Sequence, residues 1–166
     1  MIPKKLQAYL SKNQIESEGV AHRTVYTAYD LAKTTGVNLA HIAKTILLKV
    51  EPHYGEKKSK HLIAVLPASH QLDLKKIKST FKLKKVSIPD ERLMVKLFKI
   101  KAGALTPFSA LHGHPPVLVD KVLMRAKKIL TRSGSFNDSL FLKPKDFIKA
   151  TAGTLHAFAK KISVKK

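Results

Sequence analysis

The residue best suited to chemistry in this chain is Lys44, which stands at the start of an otherwise apolar run. The residues that follow it are aliphatic or β-branched as far as Val50, with Lys49 as the exception, and a second apolar run covers residues 62–66. Two such runs, separated by the polar segment 51–61, predict two buried strands joined by a solvated loop. A lysine at the start of the first strand can extend into water, or it can point along the sheet into a cleft and meet an anionic substrate there.

Two turns built from small residues are further candidates. The first contains Gly103, Pro107 and Phe108, and the second is Ser133-Gly134-Ser135. Turns of this kind can present backbone N–H groups or hydroxyls to an oxyanion or a phosphate. Taken singly, each is more typical of an ordinary turn than of a binding site.

Several classes of site are excluded by what the sequence lacks. With no cysteine there is no disulfide, no thiol nucleophile and no thiolate metal site. The close histidine pair, His112 and His114, is followed by Pro115 and has no carboxylate cluster beside it, so we expect a loop without metal. Phosphate-loop and dinucleotide fingerprints are also missing, and we expect no cofactor.

The charge of the chain points to a polyanionic partner. Its 32 Lys and Arg against 11 Asp and Glu give a formal charge of +21, which attracts nucleic acid. Lysine accounts for 28 of these basic residues, and lysine suits phosphate contacts better than the reading of base edges. A generically basic surface is the alternative explanation. No apolar run approaches the roughly 20 residues of a membrane span, so we expect a cytoplasmic protein without membrane contact.

The elements that would position these residues alternate irregularly between helix and strand. At 166 residues, with 44% hydrophobic residues, the chain can form one domain with its own core. Helices are predicted over residues 3–13, 27–36, 73–81, 89–97 and 144–153. Strands are predicted over residues 20–26, 44–50, 62–66, 84–88, 117–119, 128–131, 139–142 and 155–158. This order favours an α+β fold with a mixed sheet.

The ordered set of motifs resembles the YbaK-like aminoacyl-tRNA deacylases, freestanding relatives of the editing domain of bacterial prolyl-tRNA synthetases. The resemblance extends from about His22 to Phe158. It rests on His22-x-x-x-Tyr26-Thr27, Gly36-Val37, Ala43-Lys44-Thr45, Val65-Leu66-Pro67, Leu72-Asp73-Leu74-Lys75-Lys76, Gly103-x-x-x-Pro107-Phe108, residues 116–120 and Ser133-Gly134-Ser135. The chain departs from the family pattern at Ser139, where relatives often carry an aspartate, with Asp138 one residue away.

The resemblance implies a fold and a domain organisation. Residues 1–166 would form a single compact editing domain with a mixed, barrel-like sheet flanked by helices. A short helix over about 3–13 would begin it, and a basic tail over about 159–166 would end it.

The resemblance also implies an activity and a site. The protein would be a trans-editing hydrolase that removes a small amino acid, such as cysteine or alanine, from the acceptor end of a tRNA such as tRNA-Pro. An aminoacyl-tRNA synthetase, such as prolyl-tRNA synthetase, would be a further partner. Lys44 would be the catalytic side chain. The substrate would be bound by Tyr26, Thr45, Gly103, Pro107, Phe108, Ser133, Gly134 and Ser135.

The chemistry requires no catalytic triad, because an aminoacyl ester is already activated. A site that orients water and steadies the oxyanion with backbone N–H groups and a fixed cation suffices. A substrate that carries a thiol can instead attack its own ester. The alternative function is a non-catalytic RNA-binding protein with the same fold, since fold resemblance does not by itself establish activity.

Overall fold

The computed structural model describes residues 2–98 and 105–162. Within these residues the helices are α1 (Lys4–Lys12), α2 (Ala28–Thr35), α3 (Leu74–Thr80), α4 (Glu91–Phe98) and α5 (Pro144–Thr151). The strands are β1 (Glu18–Ala21), β2 (Ala43–Tyr54), β3 (Ser59–Pro67), β4 (His70–Leu72), β5 (Lys85–Ser87), β6 (Val117–Asp120), β7 (Ile129–Arg132), β8 (Asp138–Leu142), β9 (Thr154–His156) and β10 (Ala159–Lys161). None of the helices described is long and apolar enough to cross a membrane.

The largest sheet is mixed, with five strands in the order β5-β2-β3-β6-β9. The strands β2, β3 and β5 pair in antiparallel fashion, whereas β6 runs parallel to both β3 and β9. A three-stranded sheet, β1-β8-β7, and a pair, β10-β4, complete the described strands. The predicted α+β fold with a mixed sheet is confirmed.

The barrel-like closure that we predicted is incomplete. On the outer side of β2, β5 pairs with Lys49, Val50 and Glu51, and β7 approaches at the other end through a single bridge between Ile42 and Leu130. The segment of β2 between these two contacts has no strand partner on that side among the described residues. The sheets therefore leave a gap along β2.

The hydrophobic core explains why the central strands are so apolar. One cluster fills the space between the five-stranded and three-stranded sheets and includes Leu47, Ile63 and Phe147 of α5. A second cluster covers the opposite face of the five-stranded sheet, where Leu48 and Ile77 of α3 are buried. Strands buried on both faces read as continuous apolar runs, as β2 and β3 do.

The helix that borders the gap, α2, has the boundaries expected from its end residues. The Thr27 side chain accepts a hydrogen bond of 3.0 Å from the Asp30 backbone N–H, which caps the first turn. At the other end Gly36 adopts φ +75°, the left-handed conformation that terminates helices, and its N–H donates to the Ala32 carbonyl. Local chemistry therefore fixes where α2 begins and ends.

Some predicted boundaries differ from the structure. The loop predicted for residues 51–61 is shorter, because β2 and β3 continue to the pair Tyr54–Ser59. The strand predicted for residues 20–26 is displaced to residues 18–21, where it pairs with β8. Residues 159–161, which we expected to belong to a basic tail, form β10 against β4 instead. In the last two cases a pairing partner distant in sequence decides the outcome.

Candidate active site

A cavity of about 430 Å³ opens at the gap beside β2. This volume lies within the range of small-molecule sites in proteins. Its described lining consists of Tyr26, Thr27, Ala28, Tyr29, Ala43, Lys44, Thr45, Ile46, Leu47, Ile88, Pro89, Leu105 and Arg132. The start of α2, the first half of β2, the segment after β5 and the end of β7 therefore meet at one site.

The unpaired edge of β2 gives the cavity a wall with polar backbone groups. The Glu51 carbonyl accepts from the Lys84 N–H at 2.8 Å on the outer side, whereas the Ile42 carbonyl accepts from the Ala68 N–H at 2.9 Å on the inner side. Because the side on which backbone groups point alternates along an antiparallel strand, the N–H and C=O groups of Thr45 and Leu47 point outward. They face the gap, where the described residues supply no strand partner.

Lys44 lies at the base of this cavity with its side chain half buried. Its Nζ donates a hydrogen bond of 2.6 Å to the carbonyl oxygen of His70, the first residue of β4. Burial lowers the pKa of Lys44 from its ordinary value, because the partly apolar surroundings disfavour the ammonium form. The ammonium group is therefore held against the backbone of β4 at a half-buried position and does not extend freely into solvent.

Thr45 and Tyr26, two of the predicted substrate-binding residues, also line the cavity. The Thr45 hydroxyl is buried and has no hydrogen-bond partner in the part of the chain that the structure describes. Tyr26 is 63% exposed at the rim, and its ring lies 5.0 Å from that of Phe136. The lining thus includes a residue whose buried hydroxyl has no described partner, and an aromatic ring open to solvent.

The other predicted substrate-binding residues are not part of the described lining. Phe108 is fully buried in the core and Pro107 is buried beside it. In the second turn, Ser133 donates to the Asp138 carbonyl and Ser135 donates to the Asn137 side chain. Gly134 adopts φ +99°, which favours glycine there. The hydroxyl groups of this turn therefore hold the turn itself.

Gly103, the remaining predicted residue, lies outside the described residues. The nearest described residue of its loop, Leu105, does line the cavity. The contribution of Gly103 stays a prediction from the sequence.

Ten of the thirteen described lining residues were not predicted as site residues, among them Tyr29, Ile88, Pro89 and Arg132. Tyr29 lies three residues after Tyr26, across the helix cap at Thr27, and this spacing is the one signal that could have indicated it. Ile88 and Pro89 follow β5 and reach the site only because β5 pairs with β2. Arg132 immediately precedes the turn that we had predicted as part of the pocket.

The histidines of the described residues, and Ser139, where the chain departs from the expected family pattern, lie outside the described cavity lining. His112 contacts the Thr106 hydroxyl through Nε2 at 2.8 Å, and together with His61 and His114 it borders a second, open cavity. The Ser139 hydroxyl lies 2.8 Å from Nε2 of His22. Each pair is linked by a hydrogen bond between a histidine ring nitrogen and a hydroxyl group.

Comparison with known proteins identifies the family of the chain. The aminoacyl-tRNA editing domain model matches residues 22–150. The chain is 27% identical over 146 residues to the multifunctional Ser/Thr-tRNA deacylase ProXp-y of Escherichia coli (strain K12). The aligned region covers 87% of this chain and 85% of that protein. It is 24% identical over 156 residues to the prolyl-tRNA editing protein ProX of Acetoanaerobium sticklandii, with 90% and 92% covered.

Solved structures show the same fold at low sequence identity. The crystal structure of hypothetical protein APE2540 superposes with a TM-score of 0.82 at 19% identity, covering 95% of this chain and all of that one. A protein provisionally described as a trans-editing enzyme for prolyl tRNA synthetase superposes with a TM-score of 0.77 at 16% identity, covering 95% and 96%. The family predicted from the ordered motifs is thereby confirmed, and the chain belongs to the aminoacyl-tRNA editing domain family.

Proposed function

We propose that this protein acts in trans on the acceptor end of mischarged tRNA, and that Lys44 is the central side chain of its ester hydrolysis. The family match and the named activities of the relatives confirm the coarser prediction of a hydrolase that deacylates mischarged aminoacyl-tRNA. The finer proposal is that the amino acid is small, such as cysteine or alanine, and that tRNA-Pro carries it. The name of the relative ProX, a prolyl-tRNA editing protein, supports this choice of tRNA.

One observation carries the residue assignment. Lys44 lines the cavity whose wall is the unpaired edge of its own strand, and its half-buried ammonium group donates to the His70 carbonyl. The Nζ group has three N–H donors, of which one is used by the His70 carbonyl, so donors remain for a substrate oxygen. The fixed cation can therefore stabilise negative charge as it develops on the ester carbonyl.

The backbone beside Lys44 supplies the second part of the chemistry. The outward N–H groups of Thr45 and Leu47 can donate to the ester or to the 3′-terminal nucleotide, and the outward C=O groups can accept from the α-amino group or from an attacking water. Groups held by the sheet are already oriented, so they do not need to reorganise as the reaction proceeds. In this mechanism water attacks the ester carbon and the tRNA hydroxyl leaves with a proton.

Lys44 acts here as a donor and a charge, not as the base. Although burial lowers its pKa, its Nζ donates to a carbonyl oxygen, which favours the ammonium form. A substrate with a thiol side chain provides the alternative route, in which the thiol attacks its own ester and the cavity only holds it. Comparing cysteine with serine on the same tRNA separates the two routes, because a hydroxyl is a much weaker nucleophile.

The proposed partners follow from the substrate. The tRNA acceptor end is the proposed ligand of the cavity, and prolyl-tRNA synthetase, which would generate the mischarged substrate, is the proposed protein partner. The proposed location is the cytoplasm, where aminoacylated tRNA is used in translation.

The test is a deacylation panel on tRNA-Pro charged with cysteine, alanine, serine, threonine or proline. Serine and threonine are included because the relative ProXp-y is named for them. We expect at least tenfold faster hydrolysis of one small noncognate amino acid than of proline, and loss of this activity in Lys44→Ala. A protein that binds these tRNAs but hydrolyses none of them would be the non-catalytic RNA-binding protein of the alternative.

A further inference from the structure

Arg132 places a second cation in the cavity. It is the last residue of β7, it is only 8% exposed, and it lines the same cavity as Lys44. Its Nη1 donates a hydrogen bond of 2.8 Å to the Val25 carbonyl, just before Tyr26. The side chain is thus held in place at the boundary between the three-stranded sheet and the segment that leads into α2.

The charge of Arg132 has no full counterpart in the structure. Burial lowers its pKa, and Asp30 acts in the opposite direction through its charge, yet within residues 2–98 and 105–162 no carboxylate lies within salt-bridge distance of the guanidinium. The described lining of the cavity contains two cations, Lys44 and Arg132, and no acid. A buried charge is costly unless it is paired, so this cavity favours an anion.

The guanidinium group is suited to a particular kind of anion. It carries five N–H donors in a planar fork that matches carboxylate or phosphate oxygens, and the described structure assigns one of them to Val25. In the substrate proposed above, a small neutral amino acid is esterified to the terminal adenosine. The permanent anion closest to that ester is the phosphodiester on the 5′ side of the adenosine.

We propose that Arg132 binds the 5′ phosphodiester of the 3′-terminal adenosine, while Lys44 faces the ester. This inference rests on the proposed function, because it assigns the two cations of one cavity to two parts of the same substrate. Anchoring the phosphate fixes the nucleotide on one side of the cavity and leaves the ester to reach the β2 edge. Binding energy from a group remote from the reaction then contributes to positioning.

The experiment compares substrates that differ in this one phosphate. The aminoacyl ester preferred by the wild-type protein is prepared on full-length tRNA, on adenosine 5′-monophosphate and on adenosine. We expect Arg132→Gln to raise KM about tenfold or more for the first two, the range of a lost charge-assisted hydrogen bond, with kcat changed less than threefold. For the adenosine ester, kcat/KM should stay within twofold of wild type. Arg125→Gln, which removes an exposed arginine, is the matched control and should leave all three substrates unchanged.

A second variant and a binding measurement exclude a purely structural role. Arg132→Lys keeps a positive charge near Val25 but lacks the planar fork of donors. Its KM for the phosphate-containing substrates should therefore lie between the values of wild type and of Arg132→Gln. Binding of adenosine 5′-monophosphate should weaken in Arg132→Gln while binding of adenosine does not change, and this comparison requires no turnover.

Two results would overturn the inference. Equal losses for the adenosine ester and the phosphate-containing esters would show that Arg132 stabilises the oxyanion or merely fixes Val25, and a parallel drop in Tm would indicate the latter. Unchanged KM and unchanged binding of adenosine 5′-monophosphate would show that the phosphate lies elsewhere. Failure of the proposed function is a separate outcome, since there the wild-type protein would hydrolyse none of the esters.

Discussion

The two halves of β2 offer a comparison within one strand. In the first half, Lys44 is half buried, donates to the His70 carbonyl and lines a cavity. In the second half, Lys49 is exposed, and its backbone is paired on one side with His61 of β3 and on the other with Ser87 of β5. The same residue type, five positions apart, has two different environments.

The difference is produced by strand pairing. Where β5 covers the outer edge of β2, the backbone groups are satisfied, and Lys49, which projects from the opposite face of the sheet to Lys44, is exposed. Where β5 is absent, the edge stays open, the sheets separate, and the neighbouring side chains border a cavity instead. An exposed strand edge can pair with a strand of another chain. Here β7 and the segment after β5 flank the open edge of β2 and leave only a short stretch of it accessible. A gap in the pairing is therefore the feature that creates the site.

The largest expected effect separates the two lysines directly. Lys44→Ala should reduce kcat/KM for the preferred mischarged tRNA by more than about 100-fold, since a fixed charge at a developing oxyanion contributes on this scale. Lys49→Ala should remain within twofold of wild type. Single-turnover deacylation measures both, and far-ultraviolet circular dichroism checks that both variants fold. Comparable losses in the two variants would remove the functional distinction between the halves of β2.

The next effect concerns the buried hydroxyl in the open half. Thr45→Val should lower kcat/KM about tenfold, because Thr45 lines the cavity and its buried hydroxyl, which has no partner among the described residues, can bond a substrate group that displaces its neighbours. The control is Thr131→Val, which removes another buried hydroxyl without a described partner, at a position outside the described cavity lining. That variant should leave kcat/KM unchanged. If Thr131→Val lowers activity as much as Thr45→Val does, the effect is one of packing and not of substrate contact.

A smaller effect appears in stability and depends on pH. Because burial lowers the pKa of Lys44, the unfolded chain binds this proton more tightly than the folded chain does, and the charged form destabilises the fold. Lys44→Met should therefore raise the free energy of unfolding at pH 7 by about 0.5 kcal/mol, a modest value because the ammonium is only half buried. The gain should shrink as the pH rises from the lowered pKa toward the ordinary lysine value, where the wild-type side chain becomes neutral in both states.

Urea unfolding at pH 7 and at pH 10 measures this difference, with Lys49→Met as the control. Lys49 is exposed, so its replacement should change stability little at either pH. A Lys44→Met protein that is less stable than wild type at pH 7 would mean that the bond to the His70 carbonyl outweighs the cost of burial.

The smallest effect concerns the lysines near the half of β2 that pairs with β5. The cluster, all exposed, comprises Lys75, Lys76, Lys78, Lys82, Lys84 and Lys85. Lys85 pairs with Glu51 at the second half of β2, so this cluster extends the basic surface away from the cavity. Each lysine that contacts a phosphate should contribute about 0.7 to 0.9 to the log–log dependence of tRNA affinity on salt. Replacing the cluster by glutamine should reduce this slope and leave kcat at saturating substrate unchanged.

Filter binding of tRNA at several salt concentrations tests this prediction. A second series replaces the C-terminal lysines Lys160, Lys161, Lys165 and Lys166, of which the last two lie outside the described residues. The control series replaces Lys4, Lys5 and Lys12 of α1, which are exposed on a different element. Equal slopes in all three series would mean that the charge acts as a general surface property and that tRNA docks elsewhere.

The amino-acid sequence by itself determined the features that depend on near neighbours. The cap at Thr27 and the left-handed Gly36 set the limits of α2, the two apolar runs set the β2–β3 hairpin, and the ordered motifs identified the family. Lys44 and Thr45 could be singled out because each stands in a motif that is continuous along the chain. Interactions of this kind are short in sequence and do not depend on how the sheets are arranged.

The tertiary structure alone decided which residues meet at the cavity. The gap along β2 exists because β5 pairs with three residues only and β7 touches the other end through one bridge, and neither limit is encoded locally. Arg132 reaches the site across the sheet boundary, whereas the adjacent residue, Ser133, turns away to bond Asp138. Arg132 ends β7 and Ser133 begins the turn that follows, so one residue lines the site while the hydroxyl of its neighbour holds the turn. Which face becomes the site depends on sheet pairings between residues far apart in the chain.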